Sequence, residues 1–183
     1  TDFASFVQQG TCRTAYESTV YLAFPVTAGH TYYFQVGDRY GDGGTLSFDF
    51  HLKPQVPSND FFAFAKTIAN PLPYTDAGVN ATLATRETGE PNPSSCSGDM
   101  NNTVWYKYVP SVTTTVSASV VPTALTGNEI SPALAAYEGT DFASLLEKGC
   151  LTSYGSPVSF AVPVTAGHTY YFQVGDRYGD GGT

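Results

Sequence analysis

Basic residues are scarce in this sequence. Lys and Arg together number 8 against 16 Asp and Glu, which gives a formal net charge of −8 at pH 7. Such a chain is repelled by the phosphates of nucleic acid and by an anionic membrane surface. No run approaches the roughly 20 apolar residues of a membrane-spanning helix. We therefore predict no nucleic-acid partner and no membrane insertion, and we interpret the acidity as a source of solubility.

Catalytic signatures are missing as well. The sequence contains no G-x-S-x-G, H-E-x-x-H or Cys-x-x-Cys pattern, which would indicate a serine nucleophile, a zinc protease or a thiol or metal site. A catalytic histidine needs a nucleophile and an orienting acid beside it. No such neighbours are recognisable around His30, His51 or His168. We predict that these are histidines at the rim of the fold and that the protein is not an enzyme.

The most prominent feature of the sequence is an internal repeat. The segment VTAGHTYYFQVGDRYGDGGT, here called the repeated block, runs from Val26 to Thr45 and again from Val164 to Thr183, 138 positions later. TDFAS likewise stands at Thr1–Ser5 and returns at Thr140–Ser144. A period of this size corresponds to a whole domain rather than to a small solenoid repeat.

The repeat divides the chain into parts of two units. Residues 1–52 correspond to the C-terminal part of one unit, and residues 53–58, KPQVPS, have the Pro-rich composition of a linker. Residues 59–183 then correspond to a second unit that lacks only its last strand. Because the chain begins within a motif, we expect any targeting segment to lie upstream or to have been removed.

Alternating apolar residues predict an all-β fold. Many short strands separated by turns favour a β-sandwich or jelly-roll-like domain, in tandem. In the segment Thr31–Val36 we expect Tyr32, Phe34 and Val36 to face inwards. The predicted strands are Val20–Val26 and its copy Val158–Val164, Thr31–Val36, Leu46–Leu52, residues 102–110, and the segment through Val116, Ala118 and Val120.

One short helix per unit is predicted. The segment SNDFFAFAKTI carries a short apolar stripe, and Ser58 or Asn59 can cap its N-terminus. The later segment TDFASLLEKG is expected to form a single helical turn that Gly149 closes.

Several short segments of the second unit occur in a recognisable order. They are NDFFAFA, a RETGEPN turn before NTVWYKYVP, AAYEGT, and AGHTYYFQV, and together they cover Asn59 to Val174. In this order they resemble the bacterial pre-peptidase C-terminal type of β-sandwich domain. The resemblance implies a jelly-roll-like, secreted module that stands beside peptidases or recurs in large cell-surface proteins. It therefore implies an extracellular or cell-surface location, and it supplies no catalytic residues.

The repeat accounts for the odd number of cysteines. A complete unit holds two, Cys96 in PSSCSGD and Cys150 in EKGCLTS, and Cys12 is the equivalent of Cys150. We predict a Cys96–Cys150 disulfide, which closes a loop of about 54 residues and contributes about 2–4 kcal/mol. Cys12 is then unpaired or paired outside the chain. The alternative is that all three are buried thiols, whereas the disulfide suits a secreted, oxidised setting.

The turn GDRYGDGG contains closely spaced aspartates in both copies of the block. Asp38 and Asp42 in the first copy, and Asp176 and Asp180 in the second, can bind calcium through carboxylate oxygens. The same pattern is typical of a tight turn in which Asp accepts bonds from its own backbone. The spacing matches no calcium loop with enough ligands, so the turn is the preferred interpretation. Calcium is the only cofactor for which the sequence offers candidate ligands.

Two classes of function fit these features. The first is a structural or adhesive module of an extracellular tandem-repeat protein, such as a filament, because near-identical repeats offer the same contacts to adjacent copies or neighbouring repeats. The second is a non-catalytic accessory domain of a secreted hydrolase that binds carbohydrate or protein. We expect Tyr21, Tyr33 and Tyr171 to lie on exposed faces, where aromatic rings can stack on a glycan or against a neighbouring domain. The fold alone does not choose between these functions.

A sandwich unit without its last strand leaves an open sheet edge. The residues Leu46, Phe48, Phe50 and Leu52 alternate along the segment that follows the first copy of the block. We predict that a strand of this kind fills the edge by β-strand addition. The sequence leaves open whether this joins separate subunits or whether the chain is a window from a continuous array of repeats.

Overall fold

A computed structural model describes residues 6–8, 12–15, 19–20, 22–50, 55–96, 99–123 and 131–179. The chain divides into two compact units, Thr1–Lys53 and Pro54–Thr183. The boundary between them falls within the segment KPQVPS. Within the described ranges, no helix combines the length and the apolar character needed to cross a membrane.

The second unit is built from β-strands in two sheets. Five strands form one sheet in the order β1-β2-β7-β4-β5, and β3 pairs with β6 in the other. The β1–β2 pair is parallel, and the remaining ladders are antiparallel. The strands are β1 (Lys66–Ile68), β2 (Asn101–Tyr108), β3 (Thr114–Val120), β4 (Pro132–Glu138), β5 (Leu146–Thr152), β6 (Val158–Val164) and β7 (Tyr170–Asp176).

Strands with regular alternation are confirmed in this unit. In β6, Val158, Val162 and Val164 are buried while the residues between them are exposed or half-buried. The predicted strand through Val116 is β3, whose inward side chains face those of β6 across a regular ladder. Alternation identifies these strands because both belong to a sheet with one solvated face.

Two apolar clusters cover opposite faces of the five-stranded sheet. The cluster between the two sheets, here called the inner core, combines side chains of both sheets: Tyr108, Val116, Leu134, Ala136, Val158, Val162, Val164, Tyr170 and Phe172. On the other face Trp105 is fully buried among Met100, Tyr137 and Tyr171, so the exposed position expected for Tyr171 is wrong. Successive residues of β2 and β7 therefore point into different clusters, which explains why the orientation of the 102–110 segment is not evident from its composition.

The prediction of a helix in the segment SNDFFAFAKTI is wrong. The segment forms only a 3₁₀ turn, Phe62–Phe64, and enters β1 at Lys66. The N-cap position of the turn is Phe61, and the Asn59 side chain, expected to cap a helix, instead donates its Nδ2 to the Trp105 carbonyl at 3.0 Å. The Asp60 carboxylate accepts the backbone N–H of Thr85 at 2.6 Å. These bonds fix the chain entry, and the Glu87 carboxylate, which is remote in sequence, accepts the backbone N–H of Phe62 at 2.5 Å.

The role predicted for Gly149 is also wrong. TDFASLLEKG begins with a turn in which Ser144 donates its backbone N–H to the Asp141 carboxylate at 3.0 Å. Gly149 does not close that turn but lies within β5, opposite Ala136. Its φ is +155°, and a Cβ atom there would lie 3.2 Å from the ring of Phe160. The glycine is required by close packing and by backbone conformation, and not by a helix end.

The described residues of the first unit form no strand ladder. The predicted strands Val20–Val26, Thr31–Val36 and Leu46–Leu52 are therefore not assigned there, and His51, Leu52 and Tyr21 lie outside the described residues. In the second unit, the counterparts of the first two strands pair with β2, β3 and β4. The segment Thr1–Lys53 contains no counterparts of those partner strands.

Candidate strand-addition site

The predicted disulfide is present. Cys96 and Cys150 are bonded across a sequence separation of 54 residues, with a Cα–Cα distance of 5.3 Å. The bond links the loop before β2 to β5. Cys12 is exposed and has no disulfide partner in the structure.

A carboxylate next to the disulfide holds the same loop. Glu147 on β5 accepts the backbone N–H of Ser94 at 2.6 Å and of Ser95 at 3.0 Å. Partial burial raises the pKa of Glu147, but the hydrogen bonds from Ser95 and Ser94 outweigh it and leave the pKa below its usual value. The disulfide and the carboxylate thus secure one loop at two neighbouring points of β5.

The aspartates of the first GDRYGDGG turn act as turn-forming groups. The Asp38 carboxylate accepts the backbone N–H of Tyr40 at 3.3 Å, of Asp42 at 2.6 Å and of Gly43 at 3.3 Å. The bond from Tyr40 makes the largest contribution to lowering the pKa of Asp38, against a smaller opposing effect of desolvation. Asp42 contributes its backbone N–H to this turn.

The second turn uses its aspartate in a related way. Asp176 is buried, and its carboxylate accepts the backbone N–H of Ser131 at 2.9 Å and of Tyr178 at 3.2 Å. Asp180 lies outside the described residues. Over the ranges that the structure covers, no group of three His, Cys, Asp or Glu side chains is placed to hold a metal ion. The bond from Tyr178 is that of a tight turn, whereas the bond from Ser131 joins the turn to a distant segment.

Histidine 168 belongs to a charged cluster that the sequence did not indicate. Its Nδ1 lies 2.6 Å from Glu138, and the same carboxylate lies 2.6 Å from Lys148 Nζ. His168 first, and Lys148 second, hold the pKa of Glu138 below its usual value. The three residues come from β4, β5 and the turn before β7, so only the sheet order brings them together.

This cluster borders an open cleft of about 650 Å³. The residues that line it include Thr113, Thr114 and Thr115 and the charged residues Glu138 and Lys148. Its one aromatic residue, Tyr170, is buried, and its hydroxyl accepts the backbone N–H of Thr165 at 2.9 Å. The cleft therefore offers no exposed ring on which a sugar could stack.

Glu90 forms a second polar network that sequence inspection missed. The turn position predicted for Glu90 is correct, since its carboxylate accepts the backbone N–H of Glu87 at 2.9 Å. The other oxygen accepts from Thr103 Oγ1, Trp105 Nε1 and Gln173 Nε2 at 2.6, 2.8 and 3.2 Å. Burial raises the pKa of Glu90, and these bonds oppose the rise. Together these donors satisfy the hydrogen-bonding capacity of the buried carboxylate, and they connect the turn to β2 and β7.

The segment predicted to add as a strand has exposed apolar side chains. Leu46, Phe48 and Phe50 are 61%, 57% and 68% exposed. Phe48 and Phe50 contact Phe34, with ring centroids 5.7 and 5.0 Å apart. Leu52 lies outside the described residues.

The second unit offers an edge of the kind that the prediction requires. In the described residues, β3 pairs with β6 on one side only. Its inward residue Val116 is buried, while Ala118 and Val120 are half-buried at the margin of the inner core. An edge strand with unpaired backbone groups next to incompletely covered apolar side chains is a candidate site for strand addition.

Comparisons of the chain with protein-family models, with curated proteins and with solved structures found no match.

Proposed function

We propose that this chain is part of an extracellular or cell-surface tandem-repeat protein with a structural or adhesive function. Each repeat is a β-sandwich similar to the pre-peptidase C-terminal type, and its partners are neighbouring repeats or other copies. The observation that carries the proposal is the repeated block itself. Near-identical surfaces that recur once per domain allow the same contact to be made many times along an assembly.

Local structure supports the proposal, because both copies of the block make the same hydrogen bond to a tyrosine hydroxyl. In the first copy the Tyr32 hydroxyl accepts the backbone N–H of Thr27 at 2.9 Å, and in the second Tyr170 accepts that of Thr165 at 2.9 Å. The two copies therefore share this local bond, although the described residues of the first copy form no strand and the second copy contains β7.

The chemistry of the second unit agrees with an extracellular structural module. The Cys96–Cys150 disulfide is of the kind that persists in oxidising compartments. The buried charges of Glu90 and Asp176 are satisfied by bonds within the fold. The open cleft beside Glu138 has no exposed aromatic platform, which disfavours the accessory glycan-binding alternative.

Imaging and a glycan screen test the proposal together. A full repeat of 138 residues is obtained by joining residues 59–183 to residues 46–58, and four such repeats in one polypeptide should form a rod with a regular rise per repeat in negative-stain electron microscopy. The 183-residue chain, tested in parallel on a glycan array, should show no selective binding. Selective glycan binding by a compact particle without a regular rise would contradict the structural function.

A further inference from the structure

We propose that the unpaired edge of β3 receives Leu46–Phe50 from a second copy of this chain, which adds to it as an antiparallel strand. The inference rests on the proposed structural function and specifies the contact through which copies associate. It assigns one donor segment, one acceptor edge and one direction.

The first unit shows which surface the donor segment covers. Phe48 and Phe50 contact Phe34, at 5.7 and 5.0 Å between ring centroids. By the repeat, Phe34 is the counterpart of Phe172 in β7, whose side chain belongs to the inner core. The same packing in the second unit would place the donor over the inner face of β7.

In the described residues, the two strands of the smaller sheet lie against β4 and β5, so the free edge of β3 is on the side of β7. In the sheet order β2-β7-β4, β3 lies against β4, and Asp76 lies against β2, where its carboxylate accepts the Tyr106 hydroxyl at 3.0 Å. Adjacent strands are about 4.8 Å apart, so a strand added to this edge would lie about that distance from β3, on the side of β7.

Side-chain burial decreases along β3 and along β7, the two strands that the donor would contact. In β3, Val116 is buried, whereas Ala118 and Val120 are half-buried. In β7, Phe172 is buried, whereas Val174 is half-buried. A donor with inward Leu and Phe side chains would cover the half-buried end of the inner core and would itself lose exposed apolar surface.

The direction follows from the connections. β3 begins shortly after β2 ends, so it runs opposite to β2, as β7 does. The donor segment follows the counterpart of β7 after the tight turn at Asp38, so it runs opposite to that strand. A donor that keeps this packing is therefore antiparallel to β3.

The outward side chains are also compatible. The donor presents Ser47 and Asp49 on its outer face, and β3 presents the exposed residues Thr115, Ser117 and Ser119. The added ladder would thus bring together polar neighbours and no like-charged pair.

A pair of substitutions in the donor distinguishes this contact from nonspecific association of exposed apolar side chains. Phe48→Lys introduces a charge on the inward face, and the matched control Ser47→Lys introduces the same charge one residue away on the outward face. Self-association of the full chain is measured by light scattering after size exclusion over a range of concentrations. We expect Phe48→Lys to weaken association about tenfold or more and Ser47→Lys to weaken it less than about threefold.

Hydrogen exchange identifies the acceptor edge. Association of the unaltered chain should slow exchange of amides in Thr114–Val120, and not of those in Leu146–Thr152, which is an edge strand of the five-stranded sheet. A free peptide of residues 45–52 should compete, and the same peptide with Lys at position 48 should not. Fluorescence of Trp105, which lies in the other compact unit, confirms that the second unit remains folded in both donor variants.

Each other outcome counts against the inference. If copies associate but the two lysine variants behave alike, or if β5 is protected in place of β3, the strand assignment is wrong while the repeat-module function stands. If the chain remains monomeric with rapidly exchanging β3 amides, strand addition between copies does not occur. Failure of the structural function itself would instead be seen as selective glycan binding and irregular images.

Discussion

The two copies of the repeated block have the same twenty residues in two different surroundings. Val164 and Phe172 are 2% and 5% exposed in the second copy, whereas their counterparts Val26 and Phe34 are 53% and 39% exposed in the first. The local bonds nevertheless agree. The turn before the strand is closed in both copies, by the His30 N–H to the Thr27 carbonyl and by the His168 N–H to the Thr165 carbonyl, each at 3.2 Å.

This comparison distinguishes the turn geometry, which the block forms by itself, from the side-chain burial, which depends on the strands that pack against it. Turn geometry depends on Gly, Asp and Thr within a few residues, so it recurs wherever the block occurs. Burial depends on β2, β3 and β4, which come from residues 101–138 and have no counterpart in the first unit. Matched substitutions at equivalent positions can therefore measure the contribution of the partners directly.

The largest contrast is expected for the phenylalanine at the centre of the block. Phe172→Ala should destabilise the second unit by about 3–5 kcal/mol, because it leaves a cavity in the inner core. Phe34→Ala should change the same transition by less than about 0.5 kcal/mol. Urea unfolding followed by the fluorescence of Trp105, the only tryptophan and fully buried in the second unit, measures both. Equal effects would show that the first copy also contributes to the folded core.

Alternation and repetition predicted the parts of this fold that depend on short-range pattern. The strands β3 and β6 follow from apolar residues at every second position, and the pairing of Cys96 with Cys150 follows from aligning the two copies. The 3₁₀ turn does not follow from SNDFFAFAKTI, because Phe62 packs on Trp105 at 5.1 Å between ring centroids, and that partner is remote in sequence.

The polar clusters escaped prediction for the same reason. Glu90 gains its partners from β2 and β7, and Glu138 gains His168 only because β4 lies next to β7 in the sheet. No local spacing signals such a cluster. A burial estimate combined with the sheet order would have been needed to find either one.

The cysteines give the next contrast, because Cys12 and Cys150 are equivalent by sequence and different in structure. Replacing both Cys96 and Cys150 with Ser should destabilise the second unit by about 2–4 kcal/mol, since the unfolded chain loses its cross-link. Cys12→Ser should leave the stability within about 0.5 kcal/mol of the parent. Urea unfolding by Trp105 fluorescence measures the change, and mass mapping of non-reduced peptides verifies the pairing. A large effect of Cys12→Ser would mean that this thiol has a structural partner.

The aspartates of the GDRYGDGG turn give a smaller contrast. Asp176 is buried and accepts two backbone N–H groups, including that of Ser131 in a distant segment, whereas Asp38 bonds only within its own exposed turn in the bonds described above. Asp176→Ala should cost about 1–3 kcal/mol, because it leaves buried donors unpaired. Asp38→Ala should cost about 0.5 kcal/mol or less in the same assay. A larger loss for Asp38→Ala would contradict the assignment of its role to the turn alone.

The smallest effect is expected from the charged cluster that distinguishes His168 from His30. His168 and Lys148 lower the pKa of Glu138 in the folded chain, so the ionised carboxylate stabilises the fold above its unfolded pKa. That contribution is lost as the pH falls through the lowered folded pKa, in the acidic range below the usual value for Glu. Glu138→Gln should therefore remove a small part of the acid sensitivity, measured as the urea midpoint between neutral pH and acid. His168→Ala should remove part of the same sensitivity and His30→Ala none, whereas an unchanged pH profile in both Glu138→Gln and His168→Ala would show that solvent screens the exposed cluster completely.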